Sequence, residues 1–259
     1  MRGKIMKVIQ SPQNKQVKEW KKLATKKGRQ KQKAYLLDGW HLVKEALAKS
    51  IIIKELLVTS DFKYLDELTS LNKDQHEIIS ISDEVAKVLS ETPSPQGVFA
   101  VVALEPAAQP PLQGAWLMLD AVQDPGNIGT MVRTADAAGF TGVIFGDGTA
   151  DIYQPKVVRA MQGSQFHISL LAGPLDEWVQ KFSAQQVPVY GTELNPAARP
   201  YNKLGKHQNF ALIMGNEGNG MSQQILKRTT ANLYIPIIGH AESLNVAVAA
   251  GILMFQLKA

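Results

Sequence analysis

Four short loops carry most of the side chains that could do chemistry in this chain. Each follows an apolar run typical of a buried strand, and each is rich in Gly, Asn, Glu or Ser: DPGN (124–127), GTEL (191–194), GNEGNG (215–220) and IPIIGHAES (235–243). In a parallel sheet the carboxyl ends of the strands meet at one edge, and ligands bind beyond that edge. We therefore expect these loops to converge and to form one ligand-binding site.

The glycine-rich loop at 215–220 does not fit the common nucleotide-binding patterns. Its spacing is GxxGxG rather than GxGxxG, it stands late in the chain, and no GxxxxGK[ST] sequence occurs. The histidines show no HExxH or other metal-ligand spacing, and no GxSxG nucleophile elbow is present. P-loop phosphate chemistry is therefore disfavoured, while a plain turn at 215–220 stays an open interpretation.

Two predicted helices begin at these loops. A Pro-Gly pair reads as an entry turn, and Asn127 reads as the N-cap of a helix that ends at Gly139. Arg133 lies one or two turns into this helix, where a surface position is the simplest interpretation. Ser243 is predicted to cap the last helix, which is apolar almost all round. Such a helix must be buried in the core or against another subunit.

The elements that position these residues fall into two α/β domains. Hydrophobic residues make up 45% of the chain and charged residues 20%, a composition typical of a globular protein. Strand-like and helix-like segments alternate over 34–104, and three prolines in ten residues mark 105–114 as a linker. Over 115–259 the strand segments are almost continuously apolar, which predicts a parallel sheet covered on both faces. We therefore predict a smaller domain at 1–104 and a larger domain at 115–259.

Composition also bears on the compartment. No apolar run approaches the roughly 20 residues that span a membrane, and the basic N-terminus lacks the apolar segment of a secretory signal. The chain has no cysteine, which excludes disulfides, thiolate metal ligands and cysteine nucleophiles and is compatible with a reducing compartment. These features lead us to expect a cytoplasmic protein that does not enter the membrane.

Positive charge is concentrated at the N-terminus. Residues 1–35 hold 12 Lys and Arg against one acidic residue, whereas the whole chain has a formal net charge of only +5. Ser11 and Pro12 predict the start of a helix, and Gly28 its end. A basic block of this kind is the electrostatic signature of a phosphate-backbone binder, although a solvated tail that binds nothing is an equally open interpretation. The candidate contacts are Lys15, Lys18, Lys22, Lys26, Lys27, Arg29 and Lys31.

Taken together, the stretches above resemble a known family. DPGNIGTMVRTADAAG (124–139), ALIMGNEGNGMS (211–222) and IPIIGHAESLNVAVAAGILMFQ (235–256) resemble, in order and spacing, the three signature motifs of the SpoU (TrmH-type) RNA 2′-O-ribose methyltransferases of the SPOUT superfamily. The match covers residues 115–259. The first half resembles the ribosomal-protein-like, RNA-binding domain that often precedes them, through YLLDG, HLVKEAL and TPSPQGVFAVV.

The resemblance implies a fold, a cofactor and an assembly. The larger domain would contain a deep C-terminal trefoil knot, a rare exception to unknotted chains. The cofactor would be S-adenosylmethionine, and the protein would be a homodimer whose active site is completed across the interface. By motif, the cofactor-binding residues would be Thr192, Glu193, Leu194, Gly215, Asn216, Gly220, Ile235, Pro236, Ile237 and Leu244.

The resemblance also implies the catalytic residues: Arg133, Asn127, Glu217, Ser243 and Asn245. The reaction would transfer a methyl group to a ribose 2′-oxygen and would need no metal ion. Because arginine stays protonated, we expect Arg133 to hold the adjacent phosphate and to stabilise negative charge on the 2′-oxygen rather than to act as a base.

Three other functions stay open at the level of sequence. The RNA could be tRNA, although the basic first helix and the ribosomal-protein-like domain favour structured rRNA, 23S rRNA above all. The chain could be a non-catalytic RNA-binding protein with a degenerate methyltransferase domain, although all three motifs are intact. A Rossmann-type oxidoreductase is a further alternative, which the missing early GxGxxG disfavours.

Overall fold

The structure is a computed structural model that describes residues 5–49, 51–74, 76–105, 110–193, 195 and 197–259. The chain divides into two compact units: Met1–Pro106 with Tyr153–Phe166, and Ala107–Ile152 with His167–Ala259. Residues 153–166 thus group with the first unit, whereas the sequence placed them in the larger domain. Positions 106–109 of the expected linker lie outside the described residues, and the domain limits read from sequence stay a prediction.

The first unit is built on a mixed five-stranded sheet. Its strands are β1 (Ile5–Ile9), β2 (Ala34–Asp38), β3 (Ile53–Thr59), β4 (Ile78–Ile81) and β5 (Val98–Ala103). The order is β1-β4-β3-β5-β2, in which β1, β4 and β3 run parallel and β5 runs antiparallel to both of its neighbours. Sequence reasoning missed β1, because its few apolar residues lie among cations and only pairing with β4 makes them a strand.

The basic N-terminal segment forms two short helices instead of the one expected. The helices of the first unit are α1 (Lys15–Lys22), α2 (Lys26–Gln32), α3 (Trp40–Ala48), α4 (Leu65–Leu71), α5 (Asp83–Leu89) and α7 (Pro155–Met161). The predicted start at Ser11 is wrong, because the Asn14 side chain caps α1 by accepting from the N–H of Gln16 at 2.8 Å. The predicted end at Gly28 is also wrong, since Thr25 caps α2 and Gly28 lies within it.

The second unit contains the parallel sheet that the apolar strands predicted. Its strands are β6 (Ala115–Leu119), β7 (Gly142–Phe145), β8 (Ser169–Ala172), β9 (Val189–Thr192), β10 (Arg199–Pro200), β11 (Phe210–Met214) and β12 (Ala231–Tyr234). The order is β10-β12-β9-β11-β6-β7-β8, and every neighbouring pair is parallel. The central strands β6 and β11 are buried along their whole length.

Helices cover this sheet on both faces. They are α6 (Pro125–Ala137), α8 (Leu175–Ala184), α9 (Gln223–Leu226) and α10 (Val246–Leu257). Trp116 and Met118 pack with Trp178 and Phe182 of α8 on one face. Alternate strand residues face the other side, where α6 contacts β7 and α10 contacts both α6 and β11. None of the described helices is both long enough and apolar enough to cross a membrane.

The last helix is less buried than its composition predicted. One face, which includes Ala250 and Leu253, is buried, but Val248 and Phe255 are 53% and 58% exposed. Within this chain the helix therefore keeps an apolar face that meets solvent. Its N-cap is Asn245 rather than the predicted Ser243, since the Asn245 Oδ1 accepts from two N–H groups in the first turn.

Gly28 marks a close approach between α1 and α2, which generates a stability prediction. A Cβ at this position would lie 1.9 Å from the carbonyl oxygen of Lys22, which is backbone and cannot move away cheaply. We expect Gly28→Ala to lower the free energy of unfolding by about 1–3 kcal/mol, because this overlap outweighs the roughly 1 kcal/mol gain in helix propensity. Thermal and urea unfolding test this, with Gly205→Ala as the control, since a Cβ at Gly205 meets nothing within 4 Å. Equal effects of the two substitutions would contradict the prediction.

Candidate functional site

The carboxylate of Glu217 is the centre of the site. Its two oxygens accept hydrogen bonds from the backbone N–H groups of Gln123 and Asp124, at 3.2 and 3.1 Å, and from the Nδ2 of Asn127 at 3.1 Å. Glu217 belongs to the loop after β11, and its donors belong to the loop after β6 and the start of α6. A single side chain therefore fastens two of the predicted loops together at the carboxyl edge of the sheet.

Asn127 extends this contact to a third motif. Its Oδ1 accepts from the Nδ2 of Asn245 at 2.9 Å, while its own Nδ2 donates to Glu217. The Oδ1 of Asn245 in turn caps α10. The structure thus brings together three of the five predicted catalytic residues in one hydrogen-bonded chain: Glu217, Asn127 and Asn245. This chain is named the carboxylate–amide network below.

The network keeps Glu217 ionised. Partial burial on its own would raise the pKa of Glu217, but the hydrogen bonds from Asn127 and from the backbone N–H groups stabilise the charged form, and the net effect lowers the pKa. A carboxylate that accepts several N–H bonds and acts as an anchor has little tendency to exchange protons near neutral pH. The geometry therefore favours a positioning role for Glu217.

The start of α6 differs from the sequence prediction. Asp124, not Asn127, caps the helix, since its Oδ1 accepts from the N–H of Asn127 at 2.7 Å. This leaves the Asn127 side chain available for the network. Sequence reasoning missed Asp124 and also Asp120, whose Oδ2 accepts from the N–H of Ser222 at 2.8 Å. An Asp directly before a Pro at the first helical position was the available signal for Asp124.

The glycine-rich loop is a closed turn. Asn216 and Gly220 exchange two backbone hydrogen bonds of 2.9 Å, and a Cβ on Gly215 would lie 2.3 Å from the backbone of Gly220 and Met221. The Nδ2 of Asn216 donates to the carbonyl of Ala121 at 2.8 Å, and its Oδ1 accepts from two N–H groups within the loop. The Asn216 side chain and its backbone N–H are therefore both committed to loop structure, which disfavours a direct contact of either with a ligand.

The loop after β9 is tied to the same edge. The Thr192 Oγ1 donates to the carbonyl of Ile213 at 2.9 Å, and Glu193 accepts from the Nε2 of Gln223 at 3.2 Å and from the side chain of Asn195. Thr192 thus bonds β11, whereas Glu193 bonds α9 and its own loop. Leu194, the third predicted residue here, lies outside the described residues.

The loop after β12 has the opposite character. Along 235–244, no hydrogen bond to any described residue engages the backbone N–H and C=O groups. Ile235 is half-buried, while Pro236, Ile237 and Leu244 are exposed, and Ser243 is exposed as well. Unpaired peptide groups beside apolar side chains are what an adenosine-sized ligand needs, since bases bind through a few polar contacts and apolar faces. This loop and the two tied loops therefore fit a nucleoside-like cofactor.

Arg133 lies apart from the network. It is exposed on α6, six residues after Asn127 and hence about 9 Å further along the helix axis. Among the described residues, no hydrogen bond or ion pair engages its guanidinium. Its five donors are therefore free to take an anionic group, as a phosphate-binding role requires.

The predicted RNA contacts divide into two groups. Lys15, Lys18, Lys22, Lys26, Lys27 and Lys31 are exposed on α1 and α2. Arg29 is only 3% exposed, and its Nη1 donates to the carbonyls of Leu23 and Ala24 at 2.8 and 2.9 Å. The expectation that Arg29 contacts RNA is therefore wrong, because its guanidinium bonds the peptide groups between the two helices. No cluster of three or more His, Asp or Glu that could hold a metal ion occurs among the described residues.

The second unit is a parallel α/β sheet with polar loops gathered at its carboxyl edge, and the first unit begins with a basic segment. The family model described as "SpoU rRNA Methylase family" matches residues 114–255, and the "MRM3-like substrate binding domain" matches residues 14–100. This chain belongs to the SpoU rRNA methylase family. The resemblance seen in the three motifs is therefore confirmed, and the oxidoreductase alternative is excluded.

Individual proteins agree with the family assignment. The chain is 45% identical, over 98% of its length and 100% of the relative's, to "23S rRNA (guanosine(2553)-2'-O)-methyltransferase RlmP" of Bacillus subtilis. Among solved structures, the AdoMet-bound rRNA methyltransferase of Sinorhizobium meliloti superposes with a TM-score of 0.86 at 30% identity, covering 96% of both chains. The AviRb methyltransferase of Streptomyces viridochromogenes with AdoMet gives a TM-score of 0.84 at 26% identity, covering 94% of this chain and 97% of that one.

The network predicts an acid-sensitive contribution to stability. Glu217→Gln replaces one acceptor oxygen by an NH₂ that cannot accept from Gln123 or Asp124, so we expect a loss of about 1 kcal/mol at pH 7. Because the folded-state pKa of Glu217 is lowered, its contribution is fully present above the unfolded pKa of about 4.3 and is lost as pH falls through the folded value. The difference from wild type should therefore shrink below about pH 4.

Thermal unfolding from pH 7 to pH 3 measures this difference. The matched control is Glu177→Gln on α8, because Glu177 is exposed and makes no hydrogen bond among the described residues. A wild-type to Glu217→Gln difference that stays constant down to pH 3, or that equals the control at pH 7, would show that the carboxylate does not anchor the loops.

Proposed function

We propose that this protein transfers a methyl group from S-adenosylmethionine to the 2′-hydroxyl of a guanosine in 23S rRNA. The observation that carries the proposal is the 45% identity, along essentially both whole chains, to a relative named for that reaction. The two AdoMet-bound structural relatives support the cofactor. Since identity runs through both units, it supports a shared substrate as well as a shared reaction type.

The three loops at the carboxyl edge would hold the cofactor. The peptide groups of 235–244, together with Ile235, Pro236, Ile237 and Leu244, would take the adenine, while the backbone at Gly215 and Gly220 closes the other wall. Thr192 and Glu193 fix the loop after β9 through their bonds to Ile213 and Gln223. When bound, S-adenosylmethionine supplies a methyl group on a sulfonium, which is already a strong electrophile. The protein therefore needs chiefly to orient the acceptor and handle one proton.

Arg133 is the residue that we assign to the acceptor. Its free guanidinium can hold the phosphate next to the target ribose and stabilise negative charge as it develops on the 2′-oxygen. The 2′-hydroxyl proton then leaves to that phosphate or to water. The carboxylate–amide network keeps the loops in place, so that the acceptor oxygen meets the methyl group in line, and the exposed Ser243 would contact the ribose.

The first unit would bring the RNA. The match to a substrate-binding domain supports this role, as do the exposed lysines of α1 and α2, which present a cationic surface suited to phosphates. With Arg29 removed from the set, the candidate contacts are the six lysines. A ribosomal RNA substrate and the absence of cysteine both suit a cytoplasmic protein.

The exposed face of α10 supports a homodimer. Val248 and Phe255 are seven residues apart and so lie on one side of the helix, and Leu244 and Ile238 add exposed apolar surface nearby in the chain. Covering this face with a second copy would bury it. Because Asn245 begins α10 and also bonds Asn127, a dimer at this face would adjoin the site. We propose that Arg133 reaches the cofactor loops of the partner subunit.

We also propose that the C-terminal segment is knotted. In the sheet, β12 lies on one side of β9 and β11 on the other, although the chain passes from β9 to β11 to β12. The segments that begin at 192, 215 and 235 all leave the same edge before α10 turns back onto α6. This order supports the deep trefoil knot that the family resemblance implies, with the cofactor loops as its crossings.

Deletion of the gene tests the function directly. We expect mapping of 2′-O-methyl groups on total RNA to show the loss of one guanosine site in 23S rRNA, and the wild-type gene to restore it. Arg133→Ala should reduce methylation of that site by at least about 100-fold while leaving S-adenosylmethionine binding unchanged in calorimetry. Arg228→Ala, which removes another exposed arginine of the same unit, should restore methylation fully. Loss of a tRNA site, or of no site, would overturn the proposed substrate.

Mixing two inactive variants tests the shared site. Arg133→Ala removes the acceptor side, and Gly215→Ala disrupts the cofactor loop, because its Cβ would lie 2.3 Å from the backbone of Gly220 and Met221. Neither variant alone should methylate RNA, and both substitutions lie outside the exposed face of α10. If Arg133 serves the partner's cofactor loops, randomly mixed dimers regain about a quarter of wild-type activity, since about half are mixed and each has one intact site. If Arg133 serves its own subunit, mixing restores no activity, and the proposed sharing is wrong.

A further inference from the structure

The first unit contains a cleft whose role the proposed function leaves open. It lies at the carboxyl end of β3, between the start of α3 and the turn that precedes β5, and has a volume of about 770 Å³. That size is within the range of small-ligand pockets, roughly 300–1,000 Å³. The proposed lysine contacts of α1 and α2 do not line it, so any ligand bound here would be held by other residues.

Three aromatic side chains form one wall of the cleft. The rings of Trp40 and Tyr64 are stacked, with centroids 5.9 Å apart and planes 7° from parallel. Phe62 packs edge-on against both, at 5.5 and 6.0 Å, and is only 7% exposed. Tyr64, by contrast, is 49% exposed. The cluster is therefore a short stack of flat rings, buried at its base and open to solvent at Tyr64.

The wall is fixed by the backbone around it. The Oε1 of Gln96 accepts from the N–H of Trp40 at 2.7 Å, and the N–H of Thr59 donates to the carbonyl of Gly97 at 2.8 Å. Gly97 has a φ of +75°, and a Cβ there would lie 2.2 Å from the Oγ1 of Thr59. The position thus needs glycine for both conformation and space. These contacts hold the backbone of Trp40 and of Thr59 in place. Little conformational entropy would therefore be lost when a flat ligand stacks on the aromatic wall.

Cations line the same cleft. Lys63 and Lys87 are exposed, and no hydrogen bond or salt bridge among the described residues engages their ammonium groups. Lys44 is held by Glu67 at 2.6 Å. Of the two acids in the lining, Asp61 accepts from the Thr59 hydroxyl at 2.5 Å, and Asp83 lies in the first turn of α5. Lys87 also interacts electrostatically with Glu84, one turn earlier on α5, but neither ammonium group is held in a salt bridge among the described residues. Two such groups in the cleft that holds Tyr64 form a surface that suits both a base and its phosphate.

From this arrangement we propose that the cleft binds one unpaired nucleotide of the RNA substrate, with its base stacked on Tyr64 and its phosphate held by Lys63 and Lys87. Single-stranded RNA is commonly recognised by stacking on aromatic side chains with cations along the backbone. A base within a duplex is stacked on its neighbours and cannot enter. The inference rests on the proposed function only in taking RNA as the ligand.

Binding of short RNAs to the full chain tests the aromatic wall. Fluorescence anisotropy at fixed salt would compare a labelled single-stranded octanucleotide with a duplex of the same length. We expect Tyr64→Ala to weaken single-strand binding by about 5- to 100-fold and Tyr64→Phe, which keeps the ring, to change it less than about twofold. Duplex binding should not change. The control Ile52→Ala removes another exposed apolar side chain of the same unit and should leave both affinities unchanged.

A matched pair of lysine substitutions tests the charge of the cleft. Lys63 and Lys73 flank α4, but only Lys63 lines the cleft. Lys63→Gln should weaken single-strand binding and lower its salt slope by about 0.7, whereas Lys73→Gln should alter neither. Equal effects of the two substitutions would show that only the general charge of the unit matters and would overturn the phosphate assignment.

The outcomes separate this proposal from the proposed function. Unchanged single-strand binding in Tyr64→Ala, or an equal loss on single strand and duplex, overturns the cleft even if gene deletion abolishes a 23S rRNA methyl group. Loss of single-strand binding in Tyr64→Ala alone, restored in Tyr64→Phe, supports the cleft even if deletion removes no methyl group. An unchanged thermal unfolding curve in each variant shows that the first unit, which contains Tyr64 and Lys63, is folded.

Discussion

The site depends on a carboxylate that joins chain segments far apart in sequence. Glu217 bonds to Asn127, 90 residues earlier, and Asn127 bonds to Asn245, 118 residues later. Each hydrogen bond contributes only about 1 kcal/mol, but bonds to a charged acceptor are stronger and members of a chain reinforce one another. The lowered pKa of Glu217 keeps that acceptor ionised. This carboxylate is one of three side-chain ties between the segments after β6 and β11, beside Asn216 to the Ala121 carbonyl and Asp120 to the Ser222 N–H, and it is the only charged one that also reaches Asn127.

The loops around this anchor fall into two kinds. Those after β9 and β11 satisfy their own polar groups and form fixed walls, as Thr192 and Asn216 illustrate. The loop after β12 leaves its peptide groups unpaired among the described residues. These peptide groups are mostly exposed, so they are accessible to bond a ligand or a second subunit, and burial by either would require such partners. Asn245 stands at its end, where it caps α10 and bonds Asn127, and thereby links the open loop to the anchor.

On the proposals made above, the first unit would divide RNA recognition between two surfaces. The lysines of α1 and α2 offer long-range attraction to phosphates, which carries no information about sequence. The cleft at Tyr64 offers a shape that only an unstacked base can enter. Arg29 belongs to neither surface, because its guanidinium holds the turn between α1 and α2. A basic residue in a basic segment can therefore serve the fold rather than the RNA.

Sequence alone was sufficient for the parallel sheet, for the meeting of the polar loops at its carboxyl edge and for the family. Long apolar runs such as β6 and β11 are stable only when they are buried. The order and spacing of the motifs can be read from the sequence without knowing any contact. Sequence reasoning failed where two interpretations were equally consistent with the local sequence. Examples are the N-cap of α6 (Asp124 or Asn127) and the N-cap of α10 (Asn245 or Ser243). Others are the number of basic helices at the N-terminus and the direction of the Arg29 side chain. Only the tertiary structure decided these, because each depends on a partner that folding brings near: Glu217 for the Asn127 amide, the carbonyls of Leu23 and Ala24 for Arg29, and β4 for β1.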